Sequence, residues 1–216
     1  MTENVTQQTL HFRESLRNRQ IILGVDRLDY TKGIPNRLMA FRNALQRFPE
    51  LRQKVTLVQQ VVPSREDIPQ YHNLRLEIEH LVSAINGEFT EPGWVPVHYI
   101  FRSLKLPELL AYYRAADVAL VTPLKDGMNL VSKEYCAAKV DEDGVVILSE
   151  FAGAAAQLQR GALLVNPHDV EAIADCSKLG SRLLCTRSRT WLTLKRRRLL
   201  RWSNARAASS PSKTEV

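Results

Sequence analysis

The chain has 216 residues, 44% of them hydrophobic and 25% charged, which suits one or two compact domains and excludes a chain disordered throughout. Its formal charge of +7 invites nucleic acid or an anionic membrane as a partner, but the distribution argues otherwise. Residues 177–216 hold eleven Lys or Arg and one acid, which leaves 19 basic and 22 acidic residues, a net charge of −3, in residues 1–176.

Residues 1–19 read as a polar lead. Residues 21–25, Ile21-Ile22-Leu23-Gly24-Val25, form a continuous apolar run of the kind expected for a strand buried on both faces. A polar loop, residues 26–33, precedes a helix whose apolar positions Leu38, Phe41, Leu45 and Phe48 recur at spacings of three and four before Pro49 closes it. A second strand is predicted over residues 55–62 and a turn over 63–67. The following helix carries Leu74, Ile78, Leu81, Val82 and Ile85 and is predicted to end at Gly87. Next come a strand over 95–101, a helix over 106–116 with Pro107 in its first turn, and a strand over 118–122. The connection 123–129 leads into a helix over 130–138, and two short strands follow at 145–148 and 162–165. From Cys176 onward the periodicity fails. Residues 176–216 therefore read as an atypical basic tail, either a nucleic-acid-binding or amphipathic segment or a disordered or frame-shifted terminus.

About six strands alternating with helices predict an α/β domain over residues 20–175, a Rossmann-like open parallel sheet with right-handed crossovers. Ligands of such sheets bind at the carboxyl ends of the strands. The polar loops 26–33, 63–67 and 123–129 each follow a strand and precede a helix, so they are expected on that edge. Cys136, Cys176 and Cys185 are too few and too scattered for a disulfide framework. With neither an apolar leader nor a run of about 20 apolar residues, a cytoplasmic protein is expected, with no membrane partner.

Arg27 and Lys32, flanking a turn that ends in Gly33, could compensate a phosphate or diphosphate at the start of a helix. A solvated polar loop remains open. Gly127 permits close backbone approach, and the amides that follow open a helix suited to an anion. Asp126 and Glu134 could accept hydroxyl hydrogen bonds from a sugar or ribose. The alternative is that Asp126 and Asn129 cap the helix and that Glu134 is a solvated surface acid. Arg65 is a third possible phosphate contact. No P-loop or Gly-x-Gly-x-x-Gly pattern occurs, and the five histidines show no ligand spacing, so no metal is implied.

These stretches together resemble the trehalose-6-phosphate synthase family: Gly24-Val25-Asp26-Arg27-Leu28-Asp29-Tyr30-Thr31-Lys32-Gly33, Val62-Pro63-Ser64-Arg65, Asp126-Gly127-Met128-Asn129-Leu130-Val131, Lys133-Glu134-Tyr135, Leu148-Ser149-Glu150-Phe151-Ala152-Gly153 and Leu164-Val165-Asn166-Pro167. The resemblance covers residues 20 to about 175 and implies the C-terminal, nucleotide-sugar-binding half of a two-domain GT-B glycosyltransferase. It further implies transfer of glucose from UDP-glucose to glucose 6-phosphate with retention at the anomeric carbon and with no cofactor or required metal. Arg27 and Lys32 would hold the donor diphosphate and stabilise the leaving group. The backbone of Gly127, Met128, Asn129, Leu130 and Val131 would receive diphosphate and donor sugar. Asp126 would contact glucose hydroxyls, Glu134 the ribose, the backbone near Leu104 the uracil, and Arg65 the acceptor phosphate.

The partners so implied are a nucleotide sugar, a sugar phosphate and a missing N-terminal domain, with a homo-oligomer left open. Without that domain the chain is expected to bind donor weakly and to turn over slowly or not at all. Three other readings stand beside this one: a related synthase with another acceptor, such as a glucosylglycerol-phosphate synthase; a non-catalytic regulatory subunit; and nucleic-acid binding by the tail.

Overall fold

The computed structural model describes residues 3–185 except residues 18, 66 and 142. The Lys195-Arg196-Arg197-Arg198 cluster, Trp202 and the rest of residues 186–216 lie outside the described residues. In chain order the elements are α1 (Glu3–Ser15), β1 (Gln20–Arg27), α2 (Ile34–Arg47), β2 (Val55–Val62), α3 (Pro69–Phe89), β3 (Val97–Phe101), α4 (Leu106–Ala115), β4 (Val118–Val121), α5 (Leu130–Ala138), β5 (Val145–Ser149), α6 (Ala155–Leu158), β6 (Leu163–Val165) and α7 (Val170–Cys185).

The six strands pair in parallel throughout, in the order β3-β2-β1-β4-β5-β6. This is the doubly wound Rossmann-type order, whose chain path reverses between β1 and β4. Alternate residues of β1 enter two cores. Ile22 packs with α2, α3 and α7 through residues such as Phe41, Ile78 and Ile173. Ile21, Leu23 and Val25 pack on the other side with Leu16, Tyr113, Tyr135 and Leu158, from the end of α1 and from α4, α5 and α6. Both faces of the strand are thus covered, which is why its sequence is apolar without alternation.

Four local differences from the sequence reading have physical causes. The lead folds as α1, which packs on α4: Val5 and Leu16 are buried, Phe12 meets Tyr112 at a ring distance of 4.3 Å, and Arg13 pairs with Asp117. Three widely spaced apolar residues are too sparse a stripe to read from the sequence. Strand β1 runs on through Asp26 and Arg27, paired with Val61 and Val62, so these two polar residues belong to the sheet edge and not to the loop.

Helix α3 passes through Gly87 to Phe89, because the cost of an interior glycine, about 1 kcal/mol, is outweighed by burial of Ile85 and Phe89. Helix α7 runs on through Cys176 to Cys185. Its packed positions there are small: Ser177 is buried and its hydroxyl donates to the Ile173 carbonyl at 2.8 Å, and Gly180 lies against Ile147, Val118 and Val145. Taken as a whole, α7 is strongly amphipathic, so the pattern begun by Val170 and Ile173 does not fail at Cys176 as the sequence suggested. No helix among the described residues is long and apolar enough to cross a membrane.

Candidate functional site

The site is built around the reversal point between β1 and β4. After Arg27, the Asp29 side chain accepts from the Thr31 amide at 2.9 Å and the Thr31 hydroxyl at 2.7 Å, which caps a 3-10 turn over Tyr30–Lys32. Burial alone would raise the Asp29 carboxyl. The Thr31 bonds, with the charges of Lys32 and Arg27, outweigh it and hold the group below the usual carboxylate range. Gly33 then adopts φ 64°, and a Cβ there would lie 2.8 Å from the Thr122 carbonyl oxygen, so the position demands glycine on conformation and on space. The Thr31 carbonyl accepts from the amides of Leu124 at 2.8 Å and Lys125 at 3.2 Å. The β1 and β4 loops are therefore stitched together by backbone.

Behind them lies Arg37, a residue the sequence reading did not single out. Its side chain is 0% exposed. It pairs with Asp26 on β1, donates to Gln59 Oε1 on β2 at 3.0 Å and to Thr122 Oγ1 after β4 at 3.1 Å, and approaches the Lys32 carbonyl at 3.5 Å. One guanidinium with a fixed fork of donors thus ties three strand ends to the loop. The signal was present: Arg37 falls on the stripe formed by Ile34, Leu38, Phe41 and Leu45, where a charge requires a buried partner.

Lys32 and Asp126 are brought together, with Nζ 2.6 Å from Oδ2 and side chains 17% and 16% exposed. Asp126 also accepts from Asn129 Nδ2 at 3.1 Å and the Asn129 amide at 3.3 Å. Burial again opposes ionisation, and the Lys32 and Asn129 hydrogen bonds prevail, holding the Asp126 carboxyl below its ordinary value. A carboxylate offers about four acceptor positions, so these three bonds leave it room for a hydroxyl donor.

Asn129, at φ 57°, caps α5 by accepting from the Ser132 amide at 3.0 Å. Asn129 thus caps α5 and bonds Asp126 at once. The amides of Leu130 and Val131 open the helix, where the first amides lack intrahelical acceptors, while Met128 and Leu130 are exposed. Glu134 is exposed on α5, with one carboxylate oxygen accepting from the Tyr113 hydroxyl at 2.9 Å.

Arg27 ends β1 with its side chain 62% exposed and a guanidinium nitrogen 3.9 Å from Asp29. Arg65, in the loop after β2, is exposed and donates to the Tyr71 hydroxyl at 3.0 Å; it shares the edge without touching Lys32 or Asp126 through any of its described bonds. Leu104 is half-buried in the loop after β3, where the Arg102 carbonyl accepts from Gln60 Nε2 at 2.8 Å.

A second glycine, Gly153, packs against the backbone of Gly127. A Cβ on Gly127 would meet nothing within 4 Å, whereas one on Gly153 would lie 1.9 Å from the Gly127 carbonyl oxygen. Gly153 also donates from its amide to the Asp126 carbonyl at 2.9 Å. Between the two segments lies a groove of about 540 Å³ lined by Asp126, Gly127, Phe151, Gly153, Gln159 and Leu164. Among the described residues, no group of three or more His, Cys, Asp or Glu is arranged to hold a metal ion.

The sequence model of glycosyltransferase family 20 matches residues 1–182. The chain belongs to glycosyltransferase family 20. It is 51% identical over 173 residues to a trehalose-6-phosphate synthase of Mycobacterium marinum, covering 80% of this chain and 34% of that protein. Its fold superposes on an α,α-trehalose-phosphate synthase (UDP-forming) from Burkholderia xenovorans in complex with glucose-6-phosphate, with TM-score 0.82 and 39% identity over 89% of this chain and 43% of that one. It also superposes on the E. coli trehalose-6-phosphate protein bound with UDP-2-fluoro glucose, with TM-score 0.80 and 35% identity over 91% of this chain and 44% of that one. The chain therefore spans less than half the length of each of these relatives and corresponds to one Rossmann-type half of the two-domain GT-B fold. The family match runs from residue 1, ahead of α1, to residue 182 within α7, so it takes in all of α1 and carries α7 past the predicted end of the core at residue 175.

Proposed function

We propose that this chain is the donor-binding half of a trehalose-6-phosphate synthase, which transfers glucose from UDP-glucose to glucose 6-phosphate with retention. The observation that carries the reading is the 2.6 Å Lys32–Asp126 contact, which supports a cation held beside the first turn of α5. Lys32 and Arg27 then face the diphosphate, and the Leu130 and Val131 amides add fixed dipoles where negative charge grows as the glycosidic bond breaks. The groove beside Asp126 and Gly127 gives room for a hexosyl group, with Asp126 accepting from its hydroxyls. Glu134 takes the ribose, the backbone near Leu104 the uracil, and Arg65 the acceptor phosphate.

In this reading the bond from the anomeric carbon to the β-phosphate oxygen breaks while the acceptor hydroxyl attacks from the same face. Its proton leaves on the departing UDP oxygen. Stabilising the diphosphate carries much of the barrier lowering, so no carboxylate nucleophile is required of this half. A second domain supplies the other wall of the cleft, because transfer requires the acceptor to be held in register and water excluded. The isolated chain accordingly binds donor and turns over little.

Calorimetric titration of the purified chain with UDP and UDP-glucose tests this. Saturable binding is expected, weakened about tenfold or more by Arg27→Ala, the order of one lost charge-assisted contact, and unchanged on removal of residues 186–216. A folded chain that binds neither ligand, or binding indifferent to Arg27, would overturn the assignment.

A further inference from the structure

Tyr113 has no part in the site as set out above, yet it makes the one side-chain bond described for Glu134. It lies on α4, is 1% exposed, and meets Tyr135 edge-on at a ring distance of 6.4 Å. Tyr135 is itself anchored, its hydroxyl donating toward the carbonyls of Ala116 at 3.2 Å and Asp117 at 3.1 Å. The Tyr113 ring therefore has little freedom, and its hydroxyl is the one polar atom it directs at α5. Glu134, by contrast, is exposed on the second turn of α5, with a flexible side chain that loses rotamer entropy when it is fixed. A buried, rigid donor 2.9 Å from Oε2 meets that cost before any ligand arrives.

We infer that Tyr113 is a positioning residue that orients the Glu134 carboxylate to accept two adjacent hydroxyls, and that it thereby sets selectivity for ribonucleotide over deoxyribonucleotide donors. The inference rests on the proposed contact between Glu134 and the ribose. A carboxylate with one oxygen engaged by a phenol keeps Oε1 and the remaining lone pair of Oε2 as acceptors, enough for the paired 2′- and 3′-hydroxyls of a ribose, which are both donors. Burial, reinforced by the negative charge of Glu134, pushes the Tyr113 hydroxyl well above the ordinary tyrosine range, so it stays protonated and remains a donor wherever the protein is folded. A hydroxyl that merely pinned α4 to α5 would make the same bond but would be blind to the sugar.

The experiment separates the two. UDP and 2′,3′-dideoxy-UDP are titrated into the full chain, its Tyr113→Phe variant and its Glu134→Gln variant, with thermal unfolding of each measured alongside. Glu134→Gln should weaken UDP binding about tenfold and Tyr113→Phe about three- to fivefold, in keeping with loss of one hydrogen bond to a charged group and loss of its orientation. Both variants should bind 2′,3′-dideoxy-UDP within about twofold of the parent chain, since the contacts they remove are ones this ligand cannot make.

Equal weakening of both ligands by Tyr113→Phe, or a Tyr113→Phe chain that does not fold, assigns the hydroxyl to helix packing and overturns the inference. UDP binding reduced by Glu134→Gln but untouched by Tyr113→Phe overturns the role of Tyr113 alone. UDP binding untouched by Glu134→Gln removes the ribose contact on which the inference rests. A folded parent chain that binds no UDP overturns the donor-site reading and this inference together.

Discussion

At the reversal point between β1 and β4, Lys32 is 17% exposed and held by Asp126, while the loop after β2 carries Arg65, exposed and bonded to Tyr71. Both cations stand on the carboxyl edge of the same sheet, and both belong to motifs of similar polarity. They differ in what lies beneath them. Under Lys32 is a buried arrangement in which Arg37 reaches Asp26, Gln59 and Thr122 and approaches the Lys32 carbonyl at 3.5 Å, so the backbone that carries the charge rests on the core. Under Arg65 is an aromatic pair, buried Tyr71 against exposed Tyr30 at a ring distance of 5.4 Å, and the guanidinium itself stands exposed on its loop. A charge placed by the core keeps its position before a ligand arrives, whereas a charge placed by a surface loop must be ordered by the ligand, and that ordering subtracts from affinity.

The sharpest way to break this comparison is to remove the buried guanidinium. Arg37→Met leaves Asp26 buried and without its cation, and should cost about 3–5 kcal/mol of stability, read as a lowered urea midpoint with the slope unchanged. A loss below about 1 kcal/mol would mean that the network does not hold the edge together.

Gly153→Ala acts on the opposite wall. Its new Cβ would fall 1.9 Å from the Gly127 carbonyl oxygen, a backbone atom that cannot turn aside, so about 1–3 kcal/mol of overpacking and weaker UDP binding are expected together in unfolding and titration measurements. Unchanged UDP affinity would show that the spacing between residues 127 and 153 does not shape the donor groove. At the small end, Arg65→Ala should change stability by less than about 0.5 kcal/mol and leave UDP affinity as it was. A marked loss in either measurement would place Arg65 with Lys32 and erase the contrast.

The strands and most helices were legible because their signals are local. Residues 55–62 and 130–138 form their elements with the expected bounds, and the parallel sheet follows from strict alternation of strand and helix. The shared edge of the polar loops was legible for the same reason, since loops after the strands of a parallel sheet lie on one side. The run of α7 past Cys176 and the sparse stripe of α1 were not, because what stabilises them is a neighbour's surface: β5 and α2 for one, α4 for the other.

The sequence by itself determined the fold class, the family and the identity of Arg27, Lys32, Asp126, Asn129 and Glu134 as a polar set on one edge, because residue type, order and periodicity are properties of the chain. Only the tertiary structure decided that Lys32 meets Asp126 across 94 positions, that Arg37 ties Asp26, Gln59 and Thr122 together behind them, that Gly153 abuts the Gly127 carbonyl, and that Tyr113 reaches Glu134. Each of these is a contact between elements distant in sequence. Such a contact depends on sheet order and on the register between strands, which no local pattern encodes.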